Sequence, residues 1–417
     1  MLDIKQLREN TEKIKEALLK RMDKKVLESA LDKILKLDNE RREVLQKAED
    51  LKSERNKASK TKPTPEIIEQ MKSVGEEIKA LDTQLAGIEA DFELAMAELP
   101  NAPADDVLPG DKENNKVIRT SGDKPKFKFE PKDHVELATE LGLIDYERGV
   151  KMSGSGFWIY KGQGALLEWA LLNYFLDFHT KNGYTFILPP YLLTEKSAYT
   201  SGHLPKFRDD LFWTQDQLCL NATSEMMLGN YHRDEILEEK ELPLKYCAYS
   251  ACFRREAGSY RKEERGMIRG HQFNKIEMFQ FTKVGESWPA FDELTRNAEA
   301  LVEGLGLHFQ TVQLAAGDAS AAMAKTIDIE VWIPSMGIYK EVSSASNALD
   351  YQARRGNIRY KDTTTGKNEY VHTLNASGLA TSRLFPAILE QFQQADGSVI
   401  IPEVLRQWTG FDKIKKR

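Results

Sequence analysis

The sequence predicts an α+β protein: an N-terminal antiparallel two-helix coiled-coil arm, then a domain built on an antiparallel β-sheet flanked by helices. Three observations predict it. Apolar residues at heptad spacing run through 27–58 and again through 67–99, with two prolines between the series. The stretch "LPNAPADDVLPGDKENN" at 99–115 concentrates Pro, Asn, Asp and Gly, which is linker chemistry. Beyond it, short strand-like runs follow one another too closely for parallel crossover units.

The arm comes first. Ile67, Met71, Val74, Ile78, Leu81, Leu85, Ile88, Phe92, Ala95 and Leu99 step alternately by four and three, an uninterrupted seam. The series from Leu27 to Ala58 is less clean, because Arg41 and Arg55 stand at seam positions. "TKPTP" at 61–65 must break the helix between them, giving two arms each about 50 Å long. A two-stranded coiled coil of this kind serves as a spacer or dimerisation element. Against that, Lys52, Arg55, Lys57, Lys60 and Lys62 gather near the tip, with Lys72 on the other arm, which suits a phosphate backbone. A solvated lysine-rich helix face would read the same way. The expected division is an arm domain over 1–99, with the hairpin at 27–99, a linker over 100–116 and the main domain over 117–417.

The 417-residue chain is long for one core. It is 41% hydrophobic and 30% charged, with no apolar run long enough to span a bilayer, so no membrane partner is expected. The charged N-terminus lacks an apolar export segment, which predicts a cytoplasmic protein. Three cysteines without a CxxC pair and seven histidines without HExxH spacing fit neither a disulfide framework nor a zinc site. A net charge of −6 leaves nucleic-acid binding to local basic surfaces.

In the main domain, "GALLEWALLNYFLDFHTKNG" has helical spacing and ends at Gly183, and "YTFILPP" reads as a strand stopped by two prolines. "CFRREAGSYRKEERGMIRGHQFNKIEMFQF", from Cys252, reads as a hairpin with a long charged loop. Alternation along the first strand puts Arg254 and Glu256 on one face and Phe253 and Arg255 on the other; Lys275, Glu277 and Phe279 share a face of the second. Charges guard exposed hairpin edges, yet an edge needs only one or two lysines. The alternative is an anionic-nucleotide site: Arg254 with Arg269 for phosphates, Phe273 to stack on a base, Glu277 to hold an ammonium or hydroxyl. Further on, Glu341 and Ser344 in "KEVSSASN" could ligate Mg²⁺, although that spacing is nearly uninformative alone. "TLNASGLATSRLFPAILEQFQ" joins a polar, small-residue start to an amphipathic helix carrying Arg383.

In this order the segments resemble bacterial-type seryl-tRNA synthetase, a class II aminoacyl-tRNA synthetase, over essentially the whole chain. "CFRREAGSYRKEERGMIRGHQF" resembles the second class motif, "GLATSRLFPAILE" the third, and the helix entering "GYTFILPP" the first. "YLLTEKSAYTSGHLPKF", "NATSE", "DIEVWIPSMGIYKEVSSASN" and "QADGSVIIPEVLRQWTGF" resemble signatures of this family that other class II enzymes lack.

The resemblance implies L-serine contacts at Thr223, Ser224, Glu225, Glu277, Asn375 and Ser377. It implies ATP contacts at Arg254, Arg255, Glu256, Arg269, Phe273, Glu341, Val342, Ser343, Ser344 and Arg383, with Mg²⁺ at Glu341 and Ser344. Arg254, Arg383 and Glu277 would carry the chemistry. It further implies a homodimer joined through the first motif. It implies a tRNA(Ser) arm gripping through Arg41, Lys52, Arg55, Lys57, Lys60 and Lys62. Ala345 stands where many members have cysteine, Ser224 where many have alanine, and "YRKEER" where "YGRDTR" is frequent. Two other readings of a synthetase-like body exist: a catalytically inactive tRNA-binding adaptor, and an enzyme loading amino acids onto a carrier protein. The first should lack the charged residues present here, and the second should lack the arm.

Overall fold

A computed structural model describes residues 1–59, 64–257 and 266–416. The chain forms two compact units, Met1–Pro100 and Asn101–Arg417.

In the first unit, two short helices, Ile4–Glu9 and Thr11–Leu18, precede the long helices α1 (Lys24–Ala58) and α2 (Pro65–Glu98). Asp23 caps α1 through its carboxylate. Thr64 caps α2, with Pro65 in the first turn, where a missing N–H costs nothing. The arms meet along the expected seam: Leu27, Ile34, Val44 and Ala48 are buried on one, Val74, Ile78, Phe92 and Ala95 on the other. Leu31 and Asp38 are also buried, so near its base α1 presents a wider stripe than strict heptads give.

The second unit is organised by an 8-stranded sheet. Its strands are β1 (Lys116–Ser121), β2 (Thr185–Ile187), β3 (Leu244–Phe253), β4 (Gln272–Thr282), β5 (Phe309–Gln313), β6 (Lys325–Ile333), β7 (Ile338–Leu349) and β8 (His372–Ala380). Their order is β1-β5-β6-β7-β8-β4-β3-β2. The pairs are antiparallel except at one edge, where β2 runs parallel to β3, so the sheet is mixed rather than purely antiparallel. The helices α3 (Gln163–Lys181), α4 (Ser287–Gly304) and α5 (Thr381–Gln391) pack on it, burying Phe175, Phe291 and Phe385.

The proline-rich stretch expected to be a linker is held within this unit. The side chain of Asn101 donates to the carbonyls of Ala322 and Ala348 at 3.0 and 2.8 Å, and Ala104 N donates to Ala324 O. Loop composition reports the absence of regular structure, which is compatible with a chain pinned by its backbone. "KEVSSASN", to which the sequence assigns no element, and "TLNASGLA", expected as the polar start of a helix, lie in the central strands β7 and β8. Ser344, Ser346, Asn375 and Ser377 line a cavity, which hides the alternation that marks an ordinary strand.

Candidate active site

The sheet's central strands floor a cavity of about 370 Å³. Thr223, Glu225, Lys275, Glu277, Asn375 and Ser377 line one end, and Arg254, Glu256, Arg269, Glu341 and Ser344 the other. A narrower pocket adjoins it, walled by Phe273, Val342 and Arg383.

The hairpin positions the first arginine. β3 ends at Phe253, so the alternation expected to align Arg254 with Glu256 does not extend that far. Both nevertheless face the cavity, because Glu256 adopts a left-handed backbone (φ 52°), a conformation costing a non-glycine residue of order 1 kcal/mol. Asp210 pins the bend, accepting Arg255 N on its carbonyl and Ala257 N on its carboxylate, both at 2.9 Å. Glu256 in turn holds Arg269, whose Nε lies 2.7 Å from Oε2. The Arg254 guanidinium lies 5.2 Å from the Phe273 ring centroid and donates to Ala222 O. Arg383, in the first turn of α5, donates to the Glu341 carbonyl at 2.8 Å and to its carboxylate at 3.3 Å. Three guanidiniums thus converge, each anchored by a carboxylate or carbonyl, as a polyphosphate requires.

The other end is acidic with one buried cation. Lys275, 4% exposed, donates to Thr223 Oγ1 at 2.6 Å and contacts the Glu277 carboxylate, itself 2% exposed. Thr223 completes its hydrogen bonding by donating to Glu277 (3.2 Å) and accepting from Glu225 N. Burial, reinforced by the Glu277 carboxylate, pushes the Glu225 carboxyl up to about 7, while Lys275, the Gln352 amide and Arg254 act against that rise. The sequence places Lys275 on one strand face with Glu277 but gives it no role in the site. Its alternation with Glu277 on one strand face was the available signal.

Three expected contacts point elsewhere. The Ser224 hydroxyl is buried against Ser250 at 2.7 Å, Ser343 donates to Ser377 O at 2.6 Å, and Arg255 is exposed outside the cavity lining. Ser343 acts through the backbone beside Ser377, and Ser224 fixes the turn that carries Thr223 and Glu225.

The oxygens available to a cation are those of Glu341 and Ser344, with Asp328 opposite Ser344 in the β6–β7 register. Asp328 is 7% exposed and its Oδ1 lacks a hydrogen-bond partner; burial, with the Glu341 charge, holds its pKa well above the ordinary range. An uncompensated buried carboxylate oxygen beside two hard ligands fits a divalent cation. Among the described residues no three His, Cys, Asp or Glu side chains close a metal site by themselves, so phosphate and water would supply the remaining ligands.

On the arm, Arg41 bonds Asp38 at 3.0 Å and covers the Phe92 ring, and Lys52 pairs with Asp82 at 2.8 Å. Arg55 and Lys57 are exposed. Lys60 and Lys62, like the loop "YRKEER", lie outside the described residues.

Comparison with known proteins identifies the family. Residues 1–103 match the family model for the seryl-tRNA synthetase N-terminal domain, and 207–392 that for the class II tRNA synthetase core domain (G, H, P, S and T). Serine–tRNA ligase 2 of Clostridium acetobutylicum is 55% identical, the match covering 99% of this chain and all of that protein. The chain belongs to the seryl-tRNA synthetase family. Another family member, the serine–tRNA ligase of Petrotoga mobilis, is 48% identical over 98% of the chain and 99% of its own length. Among solved structures, the seryl-tRNA synthetase of Pyrococcus horikoshii complexed with ATP superposes with a TM-score of 0.93 at 36% identity, covering both chains fully. The cytoplasmic serine–tRNA ligase of Naegleria fowleri in complex with AMP gives 0.87 at 31%, covering 100% of this chain and 99% of that one.

Proposed function

We propose that the chain activates L-serine with ATP and passes the seryl group to the 3′ end of tRNA(Ser), releasing pyrophosphate and then AMP. The observation that carries this reading is one cavity in which Thr223, Glu225 and Glu277 stand opposite Arg254 and Arg269. The acidic residues suit serine's ammonium and hydroxyl; the guanidiniums suit a bent triphosphate. Phe273 and Arg383 flank the adenine. Serine's carboxylate attacks the α-phosphorus in line, and Arg254 stabilises the charge that develops there, a service that needs no protein nucleophile. Glu341 and Ser344, with Asp328 behind them, would hold Mg²⁺, which when bound supplies further charge neutralisation on the phosphates. The rest is positioning.

Two features bear on assembly. The outer face of α3 exposes Leu166 and Trp169. Beside it runs an apolar groove of about 770 Å³ lined by Leu172, Phe186 and Tyr249, the surface on which a second copy would complete a homodimer. No described helix is long and apolar enough to cross a membrane, and the proposed chemistry is that of the cytoplasm. The arm would grip tRNA through Arg55 and Lys57 and their neighbours Lys60 and Lys62, whereas Arg41 and Lys52 already hold acidic partners in the arm. ATP–pyrophosphate exchange across the twenty amino acids, with and without tRNA, tests the reading. Serine alone should support exchange, and no exchange with serine would overturn it.

A further inference from the structure

The cavity lining also includes Ser201, Gly202, His203 and Phe207, a third wall given no part in holding serine or ATP. We propose that this wall, with Lys206 beside it, receives the 3′-terminal nucleotide of the tRNA. The inference rests on the synthetase reading above, which requires a third substrate to enter the same cavity and bring a ribose hydroxyl to the seryl-adenylate.

The wall has the chemistry of a single-stranded RNA site. Such ends are held by aromatic faces under the bases and cations beside the phosphates. Phe207 is half-buried, its ring centroid 6.2 Å from that of His203. The exposed Lys206 ammonium sits 5.7 Å from the Phe207 ring, and Arg208, exposed, lies over Trp213 at 4.7 Å. Adenine of ATP has its own place in the adjoining pocket of Phe273 and Arg383, which shares none of these residues.

The wall is also set before any ligand arrives. Gly202 turns the chain at φ 87°, where a Cβ would meet Ala322 Cβ at 2.8 Å. His203 N donates to Ala198 O, and Phe207 N to His203 O. The Ser201 hydroxyl donates to Ala198 O at 3.1 Å and lies 2.9 Å from His203 Nδ1, which fixes the ring's orientation. Nε2, the other ring nitrogen, can then exchange a hydrogen bond with a ribose hydroxyl or a base edge. Burial, with the nearby charges of Arg254, Lys275 and Arg355, lowers the imidazole to about 3, so it stays neutral at working pH.

Single-turnover transfer from preformed seryl-adenylate, compared with pyrophosphate exchange, tests the assignment in the full-length enzyme. Phe207→Ala is expected to slow transfer about tenfold or more relative to exchange. Removing the terminal adenosine from tRNA should weaken binding to the wild type and change binding to the variant little. Equal loss of transfer and exchange, or loss of neither, overturns the proposal. Should Phe207→Ala fold poorly, Lys206→Ala on the surface serves instead: the slope of log affinity against log salt should fall by about 0.7 for intact tRNA, and an unchanged slope with unchanged transfer counts against the site. Wild-type enzyme without serine-dependent exchange would instead sink the synthetase reading itself.

Discussion

The Lys275 ammonium donates to the Thr223 hydroxyl over 2.6 Å, and through it the acidic end of the cavity is held around a single cation. Removing that cation leaves the buried Glu277 without its charge partner, and breaking a buried pair costs about 3–5 kcal/mol. Lys275→Met should therefore lower the melting temperature by several degrees and raise KM for serine more than KM for ATP. Differential scanning calorimetry and exchange kinetics would show both. A variant as stable as wild type would mean that Lys275 is a spectator.

Arg254→Ala and Arg383→Ala should each depress serine-dependent exchange by about two to three orders of magnitude, the usual cost of losing one donor to developing charge. Neither side chain belongs to the hydrophobic core, so circular dichroism should show a retained fold. Exchange within a few-fold of wild type would refute their assignment.

Glu225 supplies a pH signature. With its carboxyl pushed up to about 7, it is neutral on the acid side and charged on the basic side of that value. If it binds serine's ammonium, KM for serine should fall as pH rises from 6 to 8, and Glu225→Gln should abolish that slope. A slope that persists in the amide variant would assign it to another group.

The arm offers a salt-dependent test. Reversing Arg55 and Lys57 to glutamate should weaken tRNA binding, and each lost phosphate contact should remove about 0.7 to 0.9 from the log–log salt slope. Arg41→Ala should act differently, by loosening the arm, because its guanidinium is spent on Asp38 and Phe92. Filter binding at three salt concentrations separates these outcomes.

Much of this was legible in the amino acids. The heptad seam gave both arms because coiled-coil packing imposes a long, strict period. β3 and β4 were visible because their aromatic and small apolar residues form strand-like runs, with the site charges Lys275 and Glu277 in β4 and Arg254 just beyond β3. β7 and β8 were not, since a strand that lines a polar cavity has serine and asparagine where its core-facing positions would be apolar. Ser224, Ser343 and Arg255 show the other limit: family motifs mark positions, whereas only the fold tells which side chain reaches the cavity and which braces its neighbour. Asp210 escaped notice for the same reason, as it acts on the backbone of residues far along the chain.

Glu168, in the middle of α3, accepts from Asn274 at 2.7 Å and from Thr381 at 2.6 Å. One carboxyl thus knots together the helix with the exposed apolar face, the strand bearing Phe273 and the helix bearing Arg383. Burial raises that carboxyl to about 7 from an ordinary 4.5, with Thr381, Asn274 and Tyr160 opposing the rise. The folded chain therefore holds this proton more tightly than the unfolded chain, and the knot weakens as pH climbs from 4.5 through 7. The protein should tolerate heat best on the acid side of neutrality as far as this group is concerned. Glu168→Gln, whose oxygen can accept both bonds without ever ionising, should flatten that part of the melting profile between pH 5 and 8. The enzyme's thermal ceiling is in this sense set partly by a proton on a carboxyl that does not line the cavity.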